Sequence, residues 1–287
     1  MSIREIRVST LAEALAALED IASKDDVVFR GHSDVTWRLS STLSRFTGKP
    51  HESWDTLIDD LLTHFLNSLA SVGQLPKFSL SNRRSRLEYG RHYGVPSPLI
   101  DFTLSPYIAL FFAFNGIRPR PKEQVAVYAL STNELALAWA RRTGTYDEEA
   151  RWSFLHDDKA GALFEHGYPE AMLKFLRFPA SWNRRMQRQM GAFLYDTLDH
   201  RVEDLEAFLD RVKEPAGSNL PVLTKVFCEK SFAGRVFERL ELMGITGARL
   251  LDDHVGAAAD VVNGYNYNRR AGYSWDLDVP PPDETRM

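Results

Sequence analysis

The stretch Leu99-Ile100-Asp101-Phe102-Thr103-Leu104-Ser105-Pro106-Tyr107-Ile108-Ala109-Leu110-Phe111-Phe112-Ala113-Phe114 decides the fold. Upstream, Pro96 and Pro98 forbid a helix, so Val95–Thr103 is extended or turning. Ser105 then supplies a side-chain cap and Pro106 the fixed φ of a first helical position. From Pro106 to Phe114 almost every residue is apolar, all the way round the helix, so the helix is buried rather than amphipathic. A buried extended segment feeding a buried helix calls for packed layers of both kinds. The expected fold is α+β: a small, bent mixed sheet or pair of sheets wrapped by helices at both chain ends.

Outward from this unit, the flanking elements follow by period and punctuation. Thr10-Leu11-Ala12-Glu13 is a capping box, with Leu11, Leu15 and Leu18 at helical spacing behind it. Val27-Val28-Phe29 reads as a short buried strand that delivers Arg30-Gly31. A helix is expected over 53–70, stopped by Gly73 and Pro76, and another over Arg83–Tyr93. Val125–Leu130 reads as a strand, and Ser131 to Glu134 as a capping box opening a helix that stops at Gly144. Strands are expected at Ala192–Tyr195 and Leu223–Cys228, and helices at Glu203–Val212 and Ser231–Met243. The interval 144–182 has no clear period and reads as short helices in a surface excursion. With no repeat and no linker, residues 1–264 read as a single domain, followed by a mobile tail over 265–287 that holds Pro280-Pro281-Pro282.

Composition removes several function classes. The chain has 287 residues, 44% of them apolar, and a net charge of −4, which argues against a protein that coats nucleic acid non-specifically. Its one cysteine, Cys228, excludes an internal disulfide and a cysteine-rich zinc site, and its apolar neighbours mark it as a small buried hydrophobe. The opening MSIREIRVST lacks the apolar core of a secretion signal, and no stretch approaches the ~18 apolar residues of a membrane span. A soluble cytoplasmic protein with no membrane partner and no metal is therefore expected. Neither common nucleotide-phosphate loop motif is present, and Gly31-His32-Ser33 lacks the closing glycine of a nucleophile elbow.

Polar residues in apolar surroundings mark the candidate chemistry. Arg30 directly follows a buried strand, so its charge needs either a carboxylate across the fold or an anionic ligand. Gly31 beside it permits close approach of a backbone or a ligand. Asp101 lies within an apolar run and serves either as a helix or loop brace or as a working carboxylate. His92 is either packed or available as a base, and Tyr93 either lines a pocket or fills the core. The run from Arg184 to Arg188 is a solvated helix face or a phosphate contact. Gln189 is a polar amide entering a buried element at Gly191-Ala192-Phe193. Arg30, His92, Asp101 and Gln189 are expected to converge in one cleft.

These segments together resemble the FRG domain, named for an aromatic-Arg-Gly signature. That signature is Phe29-Arg30-Gly31 here, followed by Trp37-Arg38-Leu39 and Arg45. The second block runs from Arg91 to Pro106, with Ala109 to Ala113 after it; the third runs from Arg185 to Phe193, and Phe232–Ile245 resembles the late helix. Arg91, Ser97 and Phe102 replace the family's usual Gln, Thr and Trp. The block order is similar to that of the ADP-ribosyltransferase fold, which implies a bent sheet of that type and NAD as substrate.

On this resemblance Arg30, His92, Asp101 and Gln189 are the expected catalytic residues. Arg30, Gly31, Tyr93, Thr103 and Ser105 would bind the cofactor: Arg30 on the pyrophosphate or ribose, Thr103 or Ser105 at the nicotinamide ribose. Gln189 and Gly191 stand where a transferase shows glutamate, so the carboxylate would come from Asp101, Glu88 or Glu229. The implied function is an NAD-consuming toxin or phage-defence effector with a protein or nucleic-acid acceptor. The alternative is a non-catalytic module that holds a nucleotide or nucleic-acid end in the same pocket.

Overall fold

The computed structural model describes residues 3–24, 26–47, 54–75, 83–117, 122–144, 173–176, 184–198, 204–211, 221–251 and 253–267. In chain order these form β1 (Ile3–Arg7), α1 (Leu11–Ala22), β2 (Val27–His32), α2 (Thr42–Thr47), α3 (Trp54–Ser71), α4 (Arg83–His92), β3 (Leu99–Thr103), α5 (Pro106–Phe114), β4 (Gln124–Ser131), α6 (Thr132–Thr143), β5 (Leu173–Leu176), α7 (Arg184–Arg188), β6 (Gly191–Asp196), α8 (Leu205–Arg211), β7 (Leu223–Glu229), α9 (Ala233–Leu242), α10 (Gly247–Leu250) and α11 (Asp253–Tyr267).

The strands make one mixed sheet in the order β1-β7-β4-β2-β3-β6-β5. β1 runs parallel to β7, and the other neighbours are antiparallel. β2 is paired with β4 along its whole length, and β3 likewise with β6. Between β2 and β3, however, the register has a single pair, Phe29 with Thr103. The sheet is therefore two well-paired halves joined by one bridge, and the seam between them leaves Arg30 and Asp101 off the ladder that joins the halves.

Local rules set the helices as expected. Thr10 Oγ1 accepts from Glu13 N at 3.1 Å, and Ser131 Oγ from Glu134 N at 3.3 Å. α6 stops at Gly144 with φ 71°, and the chain turns after α9 at Gly244 with φ 74°. Ser105 Oγ caps α5, accepting from Ile108 N at 3.3 Å. All of α5 except Tyr107 and Phe112 is buried. It packs in a cluster with α1, α9 and one face of β2, β4 and β7. A second cluster covers the opposite face, with α6 and α8. A third packs α3 and α4 against β3 and β6 through Trp54, Leu87, Leu99 and Tyr195.

Several elements depart from the sequence reading. β1 is an edge strand whose residues are exposed or half-buried, so it lacks the apolar run that marks an interior strand. β5 lies inside the interval read as short helices; at four residues on the other edge it is too short to show a period. The helices expected elsewhere in that interval fall outside the described residues. α2, α7 and α10 span only six, five and four residues, below the length at which periodicity speaks. α11 runs to Tyr267, so the tail expected from 265 starts inside a helix, and 268–287 lie outside the described residues. No helix among the described residues is long and apolar enough to cross a membrane.

Candidate functional site

The site begins with the two-residue alternation of β2. Phe29 joins the cluster around α5, and Gly31 meets the same helix. A Cβ on Gly31 would lie 2.0 Å from the Ala109 carbonyl oxygen and 2.4 Å from Ala113 N. Of the two partners the sequence left open for Gly31, the backbone of α5 is the one in place. Arg30 and His32 share the other face, two residues apart, and Arg30 Nε donates to His32 Nε2 at 2.8 Å.

That bond fixes the imidazole. With Nε2 accepting, Nδ1 carries the proton and donates to the Trp37 carbonyl at 3.2 Å. The Tyr128 hydroxyl donates to the same carbonyl at 2.7 Å, and its ring stands edge-on to His32 at 4.8 Å. Burial, reinforced by the Arg30 charge, pushes the His32 pKa down to about 3, so the ring is neutral at physiological pH.

Across the seam, Arg30 Nη1 donates to the Asp101 carbonyl at 2.6 Å and stands 3.5 Å from its Oδ2. Burial lowers the Arg30 pKa and Asp101 opposes that effect, while the charges of Arg91 and Arg45 add to it. Asp101 Oδ2 is held more closely by Arg91 Nη2. The Asp101 side chain remains 42% exposed. Arg91 Nε is buried with no hydrogen-bond partner among the described residues.

These groups line a cavity of about 870 Å³ where the three apolar clusters meet, with Phe29 and Ala109 from the first, Phe102 from the second and Met186 and Phe193 from the third. Its charged lining is lopsided: among the described residues, Arg30, Arg38, Arg45, Arg91 and Arg185 face only Glu88 and Asp101. Arg38 Nη1 is bound to Asp204 at 2.6 Å. Arg45 Nη1 donates to the carbonyl and hydroxyl of Ser40 at 2.7 and 3.1 Å, and the residue lines the cavity. Partial loss of hydration at the cavity wall lowers the pKa of the otherwise exposed Arg45, aided by the charge of Arg91. In a chain of net charge −4, a local excess of guanidinium groups has the charge and planar donor geometry that suit phosphate or carboxylate.

The structure places Arg30, His92, Asp101 and Gln189 on this one cavity, together with Gly31 and Thr103. Gln189 and Thr103 are already engaged by the fold. Gln189 Nε2 donates to the Leu250 carbonyl at 3.0 Å, and Thr103 Oγ1 donates to the Gln189 carbonyl at 2.6 Å while accepting from Ser105 N at 3.1 Å. Ser105 caps α5 and is not part of the lining. Tyr93 also stands outside it: 60% exposed, in ring contact with Tyr89, Phe65 and His92. Of the three carboxylates considered, Glu88 and Asp101 reach the cavity; Glu229 lies at the far end of β7 and accepts from Ser231 Oγ at 3.0 Å. Among the described residues no cluster of His, Cys, Asp and Glu suits a metal ion.

The sequence names Glu88 as one of three possible carboxylates and does not mark His32, Trp37, Arg38, Arg45 or Arg91 as site residues. A signal existed for Arg91: Glu88, Arg91 and His92 fall at i, i+3 and i+4 on α4 and so share one helix face.

Residues 25–122, about a third of the chain, match the family model of the FRG domain, which supports the FRG assignment of that segment. No curated protein and no solved structure matches the chain.

Proposed function

We propose that the cavity binds the phosphates of NAD and that the protein is an NAD-consuming enzyme of ADP-ribosyltransferase type. The observation that carries the reading is the wall of five arginines facing two carboxylates in a cavity at the seam of the sheet. A planar guanidinium matches two phosphate oxygens at once, which a lysine cannot do. The nearly split sheet supports the likeness to the bent sheet of that fold.

In the proposed reaction the C–N bond between nicotinamide and ribose breaks, and its electron pair leaves with neutral nicotinamide. Positive charge develops on the ribose, and a carboxylate beside it lowers the barrier. Of the two carboxylates on the cavity wall, Glu88 is 2% exposed and the Asp101 side chain 42%; the drier Glu88 takes this role, since a charge acts more strongly where water is excluded. Water, or a protein or nucleic-acid acceptor, then bonds to the ribose carbon and loses its proton. Depletion of cytoplasmic NAD by a toxin or phage-defence effector is the biological form of this proposal.

Incubation with NAD should release nicotinamide. The Glu88→Gln variant should still bind NAD but release nicotinamide at a rate lower by a factor of about 100 or more, the usual scale for losing one electrostatic contact to the transition state. Absence of nicotinamide from the wild-type reaction across a range of acceptors would overturn the catalytic reading.

A second reading, a non-catalytic nucleotide-binding module, is favoured by one observation. Gln189 and Gly191 stand where a transferase shows glutamate, and the Gln189 amide is tied to α10.

A further inference from the structure

Trp37 is an unusual cavity-lining residue. It is 56% exposed, although tryptophan is the side chain whose exposure costs most apolar contact with water. Its backbone is nevertheless fixed. The Trp37 N–H donates to the Asp34 carbonyl at 3.3 Å in a turn that Asp34 Oδ1 braces by accepting from Thr36 N at 2.8 Å. The Trp37 carbonyl accepts from both His32 and Tyr128. His32 also stands edge-on to the indole, with ring centroids 6.2 Å apart at 65°. The residue is thus anchored through its backbone, with more than half of its surface open.

Its surroundings say what that surface is for. His32, which contacts the indole, is the same imidazole that orients the Arg30 guanidinium through Nε2. Arg38 follows Trp37 in sequence, and Arg38, Arg45 and Arg30 line the same cavity. A flat, exposed indole on the same wall as the Arg45 guanidinium, which pairs with no carboxylate among the described residues, is an arrangement that binds a base by stacking while phosphate is held by charge. An acidic peptide or a sugar phosphate would use the arginines and leave the indole uncovered.

We infer that Trp37 is a base-stacking platform at the cavity mouth, and that the site takes a soluble nucleotide with a flat ring joined to phosphate through ribose. Arg30 and Arg45 hold the phosphate end, and the base lies on the indole. His32 acts as a positioning residue that couples the two subsites. The inference rests on the reading of the arginine wall as a phosphate site and adds to it the chemistry of the group at the ligand's other end.

The test compares ADP-ribose with ribose 5-phosphate, which has the phosphate and no base. In wild type, ADP-ribose should quench tryptophan fluorescence and bind at least about tenfold more tightly than ribose 5-phosphate, since a stacked base contributes on the order of one to two powers of ten. Trp37→Ala should remove about tenfold or more from ADP-ribose affinity and leave ribose 5-phosphate unchanged. Trp37→Phe should retain most of the affinity and lose the quench. Trp37 is exposed, so melting temperatures of the variants should stay near wild type, which separates lost stacking from lost fold. Unchanged ADP-ribose affinity in Trp37→Ala overturns the platform and leaves the phosphate site standing. Trp37-dependent ADP-ribose binding without nicotinamide release from NAD keeps the platform and removes the catalytic proposal. A 5′-phosphorylated oligonucleotide that binds more tightly than ADP-ribose would overturn the soluble nucleotide as ligand. Failure of ADP-ribose and ribose 5-phosphate alike to bind overturns both readings.

Discussion

Replacing Gly31 by alanine tests how β2 is pressed against α5. The new methyl carbon would sit 2.0 Å from the Ala109 carbonyl oxygen and 2.4 Å from Ala113 N, whereas ordinary contact begins at 3.4 Å. Both obstacles are helix backbone, so no rotamer change relieves them; strand and helix must part by about the 1.4 Å that separates the first distance from ordinary contact. α5 is buried and packed against α1, α9 and β4, so it has no free side to move into. Overpacking of a rigid core costs about 1–3 kcal/mol, and a backbone clash belongs at or above the top of that range. For a protein of this size, about 3 kcal/mol is a fall in melting temperature on the order of 6–12 °C. Gly94→Ala is the control: its φ is 88° with nothing within 4 Å, so it should lose only about 1–2 kcal/mol through backbone strain. Thermal melts and urea titrations of both variants give the comparison. Gly31→Ala within about 0.5 kcal/mol of wild type, the usual scatter of neutral surface changes, would refute the close approach.

Phe111 is fully buried between Phe112 and Phe237, and Phe111→Ala should destabilise by about 3–5 kcal/mol in the same melts. The His32 pKa is depressed from 6.5 to about 3, so the unfolded state binds the extra proton between those limits; stability should be full above about pH 6.5 and fall by about 1.4 kcal/mol per pH unit below it. That component of the pH dependence should vanish in His32→Gln. Arg30→Ala should cost about 1.5–3 kcal/mol, the scale of hydrogen bonds to a charged group, because Asp101 keeps Arg91 and is partly exposed. Arg30→Lys should fold like wild type yet bind ADP-ribose more weakly, and a loss above about 5 kcal/mol in the alanine variant would mark Arg30 as structural alone.

The legible parts of the fold were those fixed by local chemistry. Ser105-Pro106, Ser131 to Glu134 and Thr10 to Glu13 announce their helices through caps, and the apolar wall of α5 announces its burial. The edge strands β1 and β5 escape that logic, since half their surface needs no apolar cover. The polar residues of the site were legible by the same rule of burial: Arg30, Asp101 and Gln189 each stand at the margin of an apolar segment. What each one touches was not legible. Gly31 signals only that a Cβ is missing, and the space belongs to α5. Arg45 and Arg91 come from exposed or polar stretches whose own sequence carries no burial signal, and only the packing of α2 and α4 around the cavity brings them to one wall. Tyr93 and Trp37 are both exposed aromatics, and the turn after β2, not residue type, decides which of them lines the cavity.

Whether the arginine wall holds the phosphates of NAD is read by calorimetric titration of NAD at low and high salt. The variant to compare is Arg45→Ala with Arg185→Ala, since Arg45 is exposed and neither side chain has a carboxylate partner among the described residues, so the fold should survive. The expected result is wild-type binding that weakens with salt and an affinity reduced at least about tenfold in the double variant, the scale of losing charge-assisted contacts. Absence of NAD binding by folded wild-type protein, or binding indifferent to both salt and the two arginines, would contradict the account.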